Sequence, residues 1–138
     1  MRRRGLLCAA LLLAACGKKT TGARGQRLAA GAKVLALGDS ITQGVGAAAQ
    51  AAYPSVLASL TGLHVVNGGV SGDVSAQALE RLPALLAEHQ PALVIVSIGG
   101  NDFLRRMDAR DTEAHIRRIV ATSREADAQV LLVAVPQP

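Results

Sequence analysis

Three short polar corners carry residue types that could do chemistry together: Gly38-Asp39-Ser40, Asn67 to Asp73, and Gly99 to Asp102. Ser40 stands where the apolar run Val34–Leu37 surfaces, ahead of a segment able to open a helix. A serine on such a corner exposes its hydroxyl, and free amides at a helix start stabilise developing negative charge. Gly72 offers a backbone N–H, and Asn101 offers an uncharged side-chain amide that can donate to the same oxygen. A nucleophile plus donors aimed at a tetrahedral oxyanion is the equipment of acyl transfer. Each residue also has a structural reading taken singly: Ser40 as an N-cap, Gly72 and Asn101 as turn residues. Only their placement at one rim favours the chemical reading, so the elements that position them decide the matter.

Apolar runs alternate with amphipathic segments from Lys33 onward. Val34–Leu37, His64–Asn67, Leu93–Ile98 and Val130–Val135 read as strands, the second and third closed by glycine pairs. Between them lie three helical patterns. Ala51–Leu60 places Tyr53, Val56, Leu57 and Leu60 on one face. Val74–Glu88 aligns Leu79, Leu82, Leu85 and Leu86, with Pro83 as a point of kinking or a broken start. Thr112–Ala126 is charged, with Ile116, Ile119 and Val120 as its stripe. Strand–helix alternation with near-continuous apolar strands predicts an α/β fold, a parallel sheet covered on both faces. Ligands of such sheets bind at the carboxyl ends of the strands, where all three polar corners fall.

Other glycine patterns do not compete. Gly44–Ala49, "GVGAAA", formally fits a dinucleotide fingerprint, but it starts seven residues past Leu37 and no acidic residue closes the second strand. No Gly-Lys-Ser/Thr follows, which excludes a P-loop. Thr42 occupies the position where G-x-S-x-G would require glycine.

The 138 residues make at most one domain, and half of them are hydrophobic, so a core can form. With Tyr53 and Phe103 the sole aromatics, that core must be aliphatic. The net charge of +5 suggests nucleic acid, but 8 of the 15 basic residues lie at or before Lys33 with no acidic residue among them. From Val34 on, 7 basic residues face 10 acidic ones, a balance of −3, so a basic footprint is missing where the fold would display it. No nucleic-acid partner is expected.

The head of the chain, "MRRRGLLCAALLLAAC", has a basic start and an apolar run from Leu6 to Ala15, with the length and flanks of a secretory signal over residues 1–15. Leu13-Ala14-Ala15-Cys16 resembles the bacterial lipobox, which implies lipidation of Cys16 and a protein anchored in the bacterial cell envelope; without lipidation it would be secreted or periplasmic. Residues 16–32 then read as the lipidated cysteine and a flexible linker, and 33–138 as the folded domain. Cys8 would leave with the signal, so no disulfide framework is predicted.

"LGDSITQG" (37–44), "NGGVSGD" (67–73) and "IGGND" (98–102) resemble the first three blocks of the SGNH (GDSL-type) hydrolases, and "RLPALLAEHQP" (81–91) resembles their thioesterase, lysophospholipase and arylesterase branch. The resemblance implies a three-layer, flavodoxin-like α/β/α fold, Ser40 as nucleophile, and Gly72 and Asn101 as oxyanion donors. It implies carboxylic or thioester substrates, aryl esters, short acyl esters and lysophospholipids among them, with no metal and no cofactor. The family's late Asp-x-x-His block, source of the catalytic Asp and His, has no counterpart here. His64 and His89 enter strands from the opposite end, and Asp111 and His115 are four apart, so all three histidines read as surface or strand-start residues. The expectation is a hydrolase domain lacking its C-terminal strand and helix, inactive or nearly so by itself. Its rivals are a degenerate lipid-anchored binding protein and a carbohydrate deacetylase on the same scaffold.

Overall fold

The computed structural model describes residues 25–134, so Cys16, the lipobox and the signal-like head lie outside the described residues. Four parallel strands form one sheet: β1 (Lys33–Gly38), β2 (His64–Gly69), β3 (Leu93–Ser97) and β4 (Gln129–Leu132), in the order β2-β1-β3-β4. Five α-helices join them: α1 (Ser40–Gln43), α2 (Tyr53–Thr61), α3 (Ser75–His89), α4 (Gly100–Leu104) and α5 (Ala109–Glu125).

Strand alternation sends Leu35 and Leu37 to one face of β1 and Val34 and Ala36 to the other. All four are fully buried, so both faces of the sheet are covered. The main core joins Leu35, Leu37, Val94 and Val96 to Ala78, Leu82 and Leu86 of α3 and Ile119 of α5. The stripes read for α3 and α5 therefore face the sheet. The face read for α2 does not hold: Val56 and Leu60 are exposed, and the helix buries Pro54 instead. Its nine residues lie beside the sheet edge, where β2 offers too little surface to cover a full stripe.

Local chemistry explains the boundaries. Asp108 caps α5, accepting from Arg110 N–H at 2.7 Å, and Arg124 sits in its last turn. α2 starts with Pro54 in its first turn and stops at Gly62, whose φ is +71°. α3 runs unbroken through Pro83. α1, expected as an opening helix, is one turn of four residues closed by Gly44 at φ +89°. Its macrodipole is correspondingly small. α4 was not legible as a helix because its first residue belongs to a glycine pair.

Register sets the functional rim. Gly38 pairs with Gly69 on one side and with Ser97 on the other, so three strands end level. At the opposite end Gln26 exchanges two hydrogen bonds with Gln129, at 2.6 and 3.1 Å.

Candidate active site

The Ser40 corner is built on close backbone contact. A Cβ at Gly38 would stand 2.6 Å from the Ser97 carbonyl oxygen and closer still to Thr42 Oγ1. One at Gly69 would stand 2.6 Å from the Thr42 carbonyl carbon and closer to Gln43 N. Only glycine lets β1, β2 and α1 approach this far. Asp39, nearly buried, caps α1 by accepting from Ile41 N–H at 3.0 Å. That leaves Ser40 as the first helical residue, half-buried at the rim. Among the described residues nothing is hydrogen-bonded to its hydroxyl or to its N–H.

Four hydrogen bonds hold the second corner and α3 against Gly38 and α1. Val70 N–H and Arg81 Nη2 both donate to the Gly38 carbonyl, at 3.1 and 3.0 Å. Ser71 N–H donates to Gln43 Oε1 at 2.7 Å, and Asn67 Nδ2 reaches Gln43 O at 3.4 Å. Arg81 Nε also grips Asp73 Oδ2 at 2.7 Å. Between these anchors Gly72 turns the chain at φ +83°, a conformation glycine takes without strain. No protein acceptor among the described residues takes the Gly72 N–H, whereas its carbonyl accepts from Arg105 Nη2 at 2.8 Å.

The third corner joins through Asn101. Its Nδ2 donates to Asp73 O at 2.9 Å, which fixes the amide plane and leaves the second N–H of the same nitrogen for another acceptor. Ser40, Gly72 and Asn101 are thus brought to one rim, each with a polar hydrogen that no protein group takes. A negative oxygen placed among such donors gains the stabilisation that acyl-transfer sites supply.

The histidines divide. His64 starts β2 at the opposite end and His89 closes α3, 3.8 Å from Glu88. His115 departs from the expected surface residue. It is half-buried with Nδ1 3.0 Å from Ser75 Oγ, because the N-terminal turns of α3 and α5 meet there. None of the three is hydrogen-bonded to Ser40. Among the described residues no cluster of three His, Cys, Asp or Glu side chains could hold a metal.

Comparison with known proteins decides the ancestry of this rim. A family model described as GDSL-like Lipase/Acylhydrolase family matches residues 36–138. The chain belongs to this family. Within it, the chain is 43% identical over 114 residues to thioesterase 1/protease 1/lysophospholipase L1 of Escherichia coli K12, covering 81% of this chain and 55% of that protein. It is 37% identical over 115 residues to esterase TesA of Pseudomonas aeruginosa PAO1, covering 80% of this chain and 57% of that one. The chain therefore spans about half the length of these relatives. Among solved structures, the SGNH-hydrolase family esterase AlinE4 superposes with a TM-score of 0.76 at 28% identity, covering 81% of this chain and 63% of its own. The α/β fold of this GDSL-like chain is thus that of SGNH hydrolases.

Sequence reasoning passed over Gln43, Ser75, Arg81 and Asp102, whose contacts cross between corners. Arg81 and Gln43 gave no signal beyond lying in family-like stretches. Asp102 had one: a carboxylate directly after Asn101 in an otherwise apolar and glycine-rich turn.

Proposed function

We propose that this chain carries the nucleophile and oxyanion hole of a serine ester hydrolase, with Ser40 as nucleophile and Gly72 N–H and Asn101 Nδ2 as donors. One observation carries the reading: the Ser40 hydroxyl, the Gly72 N–H and one Asn101 amide hydrogen are all unclaimed at a rim where the Gly38, Gly72 and Asp73 carbonyls each have a donor. In this mechanism Ser40 Oγ attacks the carbonyl carbon of an ester or thioester as a base removes its proton. The tetrahedral oxyanion sits between the donors, the bond to the alcohol or thiol breaks, and the leaving group takes the proton. Water then cleaves acyl-Ser40 and releases the acid.

The names of the relatives, esterase, arylesterase, thioesterase and lysophospholipase, support small acyl esters and lysophospholipids as substrates. No group among residues 25–134 is hydrogen-bonded to the Ser40 hydroxyl, which supports two further points about these residues by themselves. Unassisted turnover is low, of the order left when serine hydrolases lose their base, about 10³–10⁴ over water. A non-catalytic role, holding an ester or acid at this rim, is the second reading. The head of the chain supports an envelope location through a lipid on Cys16, and Cys16→Ser is expected to move the protein from the membrane to the soluble fraction.

The test is acylation by p-nitrophenyl acetate with imidazole added as a diffusible base. Mass spectrometry should find an acetyl group on Ser40, accumulating faster as imidazole rises, and none on the Ser40→Ala chain at the corresponding peptide. Equal p-nitrophenol release by both chains after subtraction of the imidazole background would remove Ser40 from the reaction.

A further inference from the structure

Asp102 is 2% exposed, and no Lys or Arg among the described residues pairs with it. Its carboxylate instead accepts from Ser75 N–H at 2.8 Å, from Ser75 Oγ at short range, and from Thr112 Oγ1 at 3.2 Å. A buried carboxylate held by neutral donors is costly to keep, so its geometry invites a reason.

The proton arrangement follows from donor and acceptor capacity. A carboxylate only accepts, so the single hydroxyl proton of Ser75 goes to Asp102. Ser75 Oγ can then only accept from His115, which requires a hydrogen on His115 Nδ1. The string runs His115 to Ser75 to Asp102 with the serine in the middle. Ser75 is fully buried, out of reach of a substrate, and its hydroxyl proton is committed to Asp102, so this trio is not a second nucleophilic site.

What the string joins is the oxyanion hole. Asp102 follows Asn101 in α4, and Ser75 lies two residues past Asp73, whose carbonyl receives the Asn101 amide. The second and third corners are therefore bolted together twice, by Asn101 to Asp73 and by Ser75 to Asp102. The second bolt also supplies the Ser75 N–H, one of the orphan amides at the start of α3, with its acceptor. Thr112 and His115 bring the first turns of α5 to the same point.

We propose that Asp102 is a positioning residue that holds the Asn101 donor at a fixed spacing from Gly72, with His115 as the outer donor that orients Ser75. The proposal rests on the hydrolase reading of the rim. A displaced donor stabilises the oxyanion less, so the effect falls on the acylation step.

Two readouts separate the proposal from the reading beneath it. The first is the Asn101 side-chain amide in ¹H–¹⁵N spectra of the full chain, assigned by its loss in Asn101→Ala. The second is the rate of acetyl-Ser40 formation with imidazole. Asp102→Asn places an amide nitrogen or its partner against donors, and should shift the Asn101 resonances and slow acetylation about tenfold to a hundredfold. His115→Phe should slow it less, by several-fold, while His115→Asn, which keeps a donor near the Nδ1 position, should restore the wild-type rate. Thr112→Val removes one of the three donors to Asp102 and serves if Asp102→Asn does not fold. A folded Asp102→Asn chain, or Thr112→Val in its place, with unmoved Asn101 resonances would overturn the proposal. If no variant, wild type included, acetylates Ser40, the hydrolase reading falls, and the Asn101 resonances still decide whether Asp102 positions that amide.

Discussion

Arg81 and Asp73 form a 2.7 Å ion pair whose guanidinium also reaches across to the Gly38 carbonyl at 3.0 Å, so one side chain spans the first two corners. The Asp73 side chain is 8% exposed and that of Arg81 24%, so this is a shielded pair and not a surface decoration. Arg81→Ala strands a nearly buried carboxylate and should cost about 2–4 kcal/mol in urea titrations. Arg81→Lys keeps the charge but cannot serve both acceptors from one planar fork, so its loss should be about half as large. Equal stability of Arg81→Lys and wild type would show that the bond to Gly38 contributes nothing.

Gly38 and Gly46 should respond unequally to the same substitution. A Cβ at Gly38 collides with backbone and with Thr42, whereas one at Gly46, at φ +83°, meets nothing within 4 Å. Gly46→Ala should cost about 1 kcal/mol for its left-handed backbone. Gly38→Ala should cost roughly 3 kcal/mol or more, since neither β1 nor β3 can retreat. Thermal melts followed by circular dichroism would rank the two, and a reversed order would contradict the packing of this corner.

Tyr53 makes the fold sensitive to alkali. Burial pushes its phenol above the ordinary 10.0, and the Asp39 carboxylate pushes it further up. A phenol harder to ionise when folded binds its proton more tightly in the native state. Stability is therefore intact below pH 10 and declines as pH rises past it. Tyr53 Oη is buried without a hydrogen-bond partner, so Tyr53→Phe should cost little at neutral pH. The variant should lose less stability than wild type as pH rises above about 10, read by denaturant titration at each pH. Parallel curves would mean that the phenol ionises as freely folded as unfolded.

β4 ends in Leu131 and Leu132 and runs on into Val133, each roughly half exposed, and β4 pairs only with β3 among the described strands. Leu132 and Val133, with Phe103, Leu104 and Met107, line an apolar groove of about 1060 Å³ beside α5. An apolar edge of this kind favours self-association. Leu132→Lys should reduce light scattering at high protein concentration while changing stability by about 1 kcal/mol or less. Unchanged scattering would place the sticky surface elsewhere.

The sheet and its rim were legible because they rest on local pattern: four apolar runs of strand length, the first three followed by polar or glycine corners. Ser40, Gly72 and Asn101 could be singled out as candidates for the same reason, each lying just past a strand end. What escaped were relations between segments far apart in sequence. Arg81 gave no signal of its own because only the fold brings the end of β1 beside it. His115 looked like a surface residue because helical spacing says nothing of a neighbouring helix start. Val56 and Leu60 looked buried because periodicity shows which residues share a face, not how much sheet lies beneath it.

The strand order carries a cost in time. β1 lies inside the sheet, yet it leaves the ribosome first of the four. Its partners follow late: Lys33 waits for His64, and Val34 waits for Leu93, 59 residues downstream. At roughly 5–20 residues per second, that is about 3–12 seconds in which an all-apolar strand has only one neighbour or none. The segment that presents the serine is thus the one longest in need of shelter during synthesis, and a chaperone or export factor that binds short aliphatic stretches would find Val34–Leu37 before β3 does.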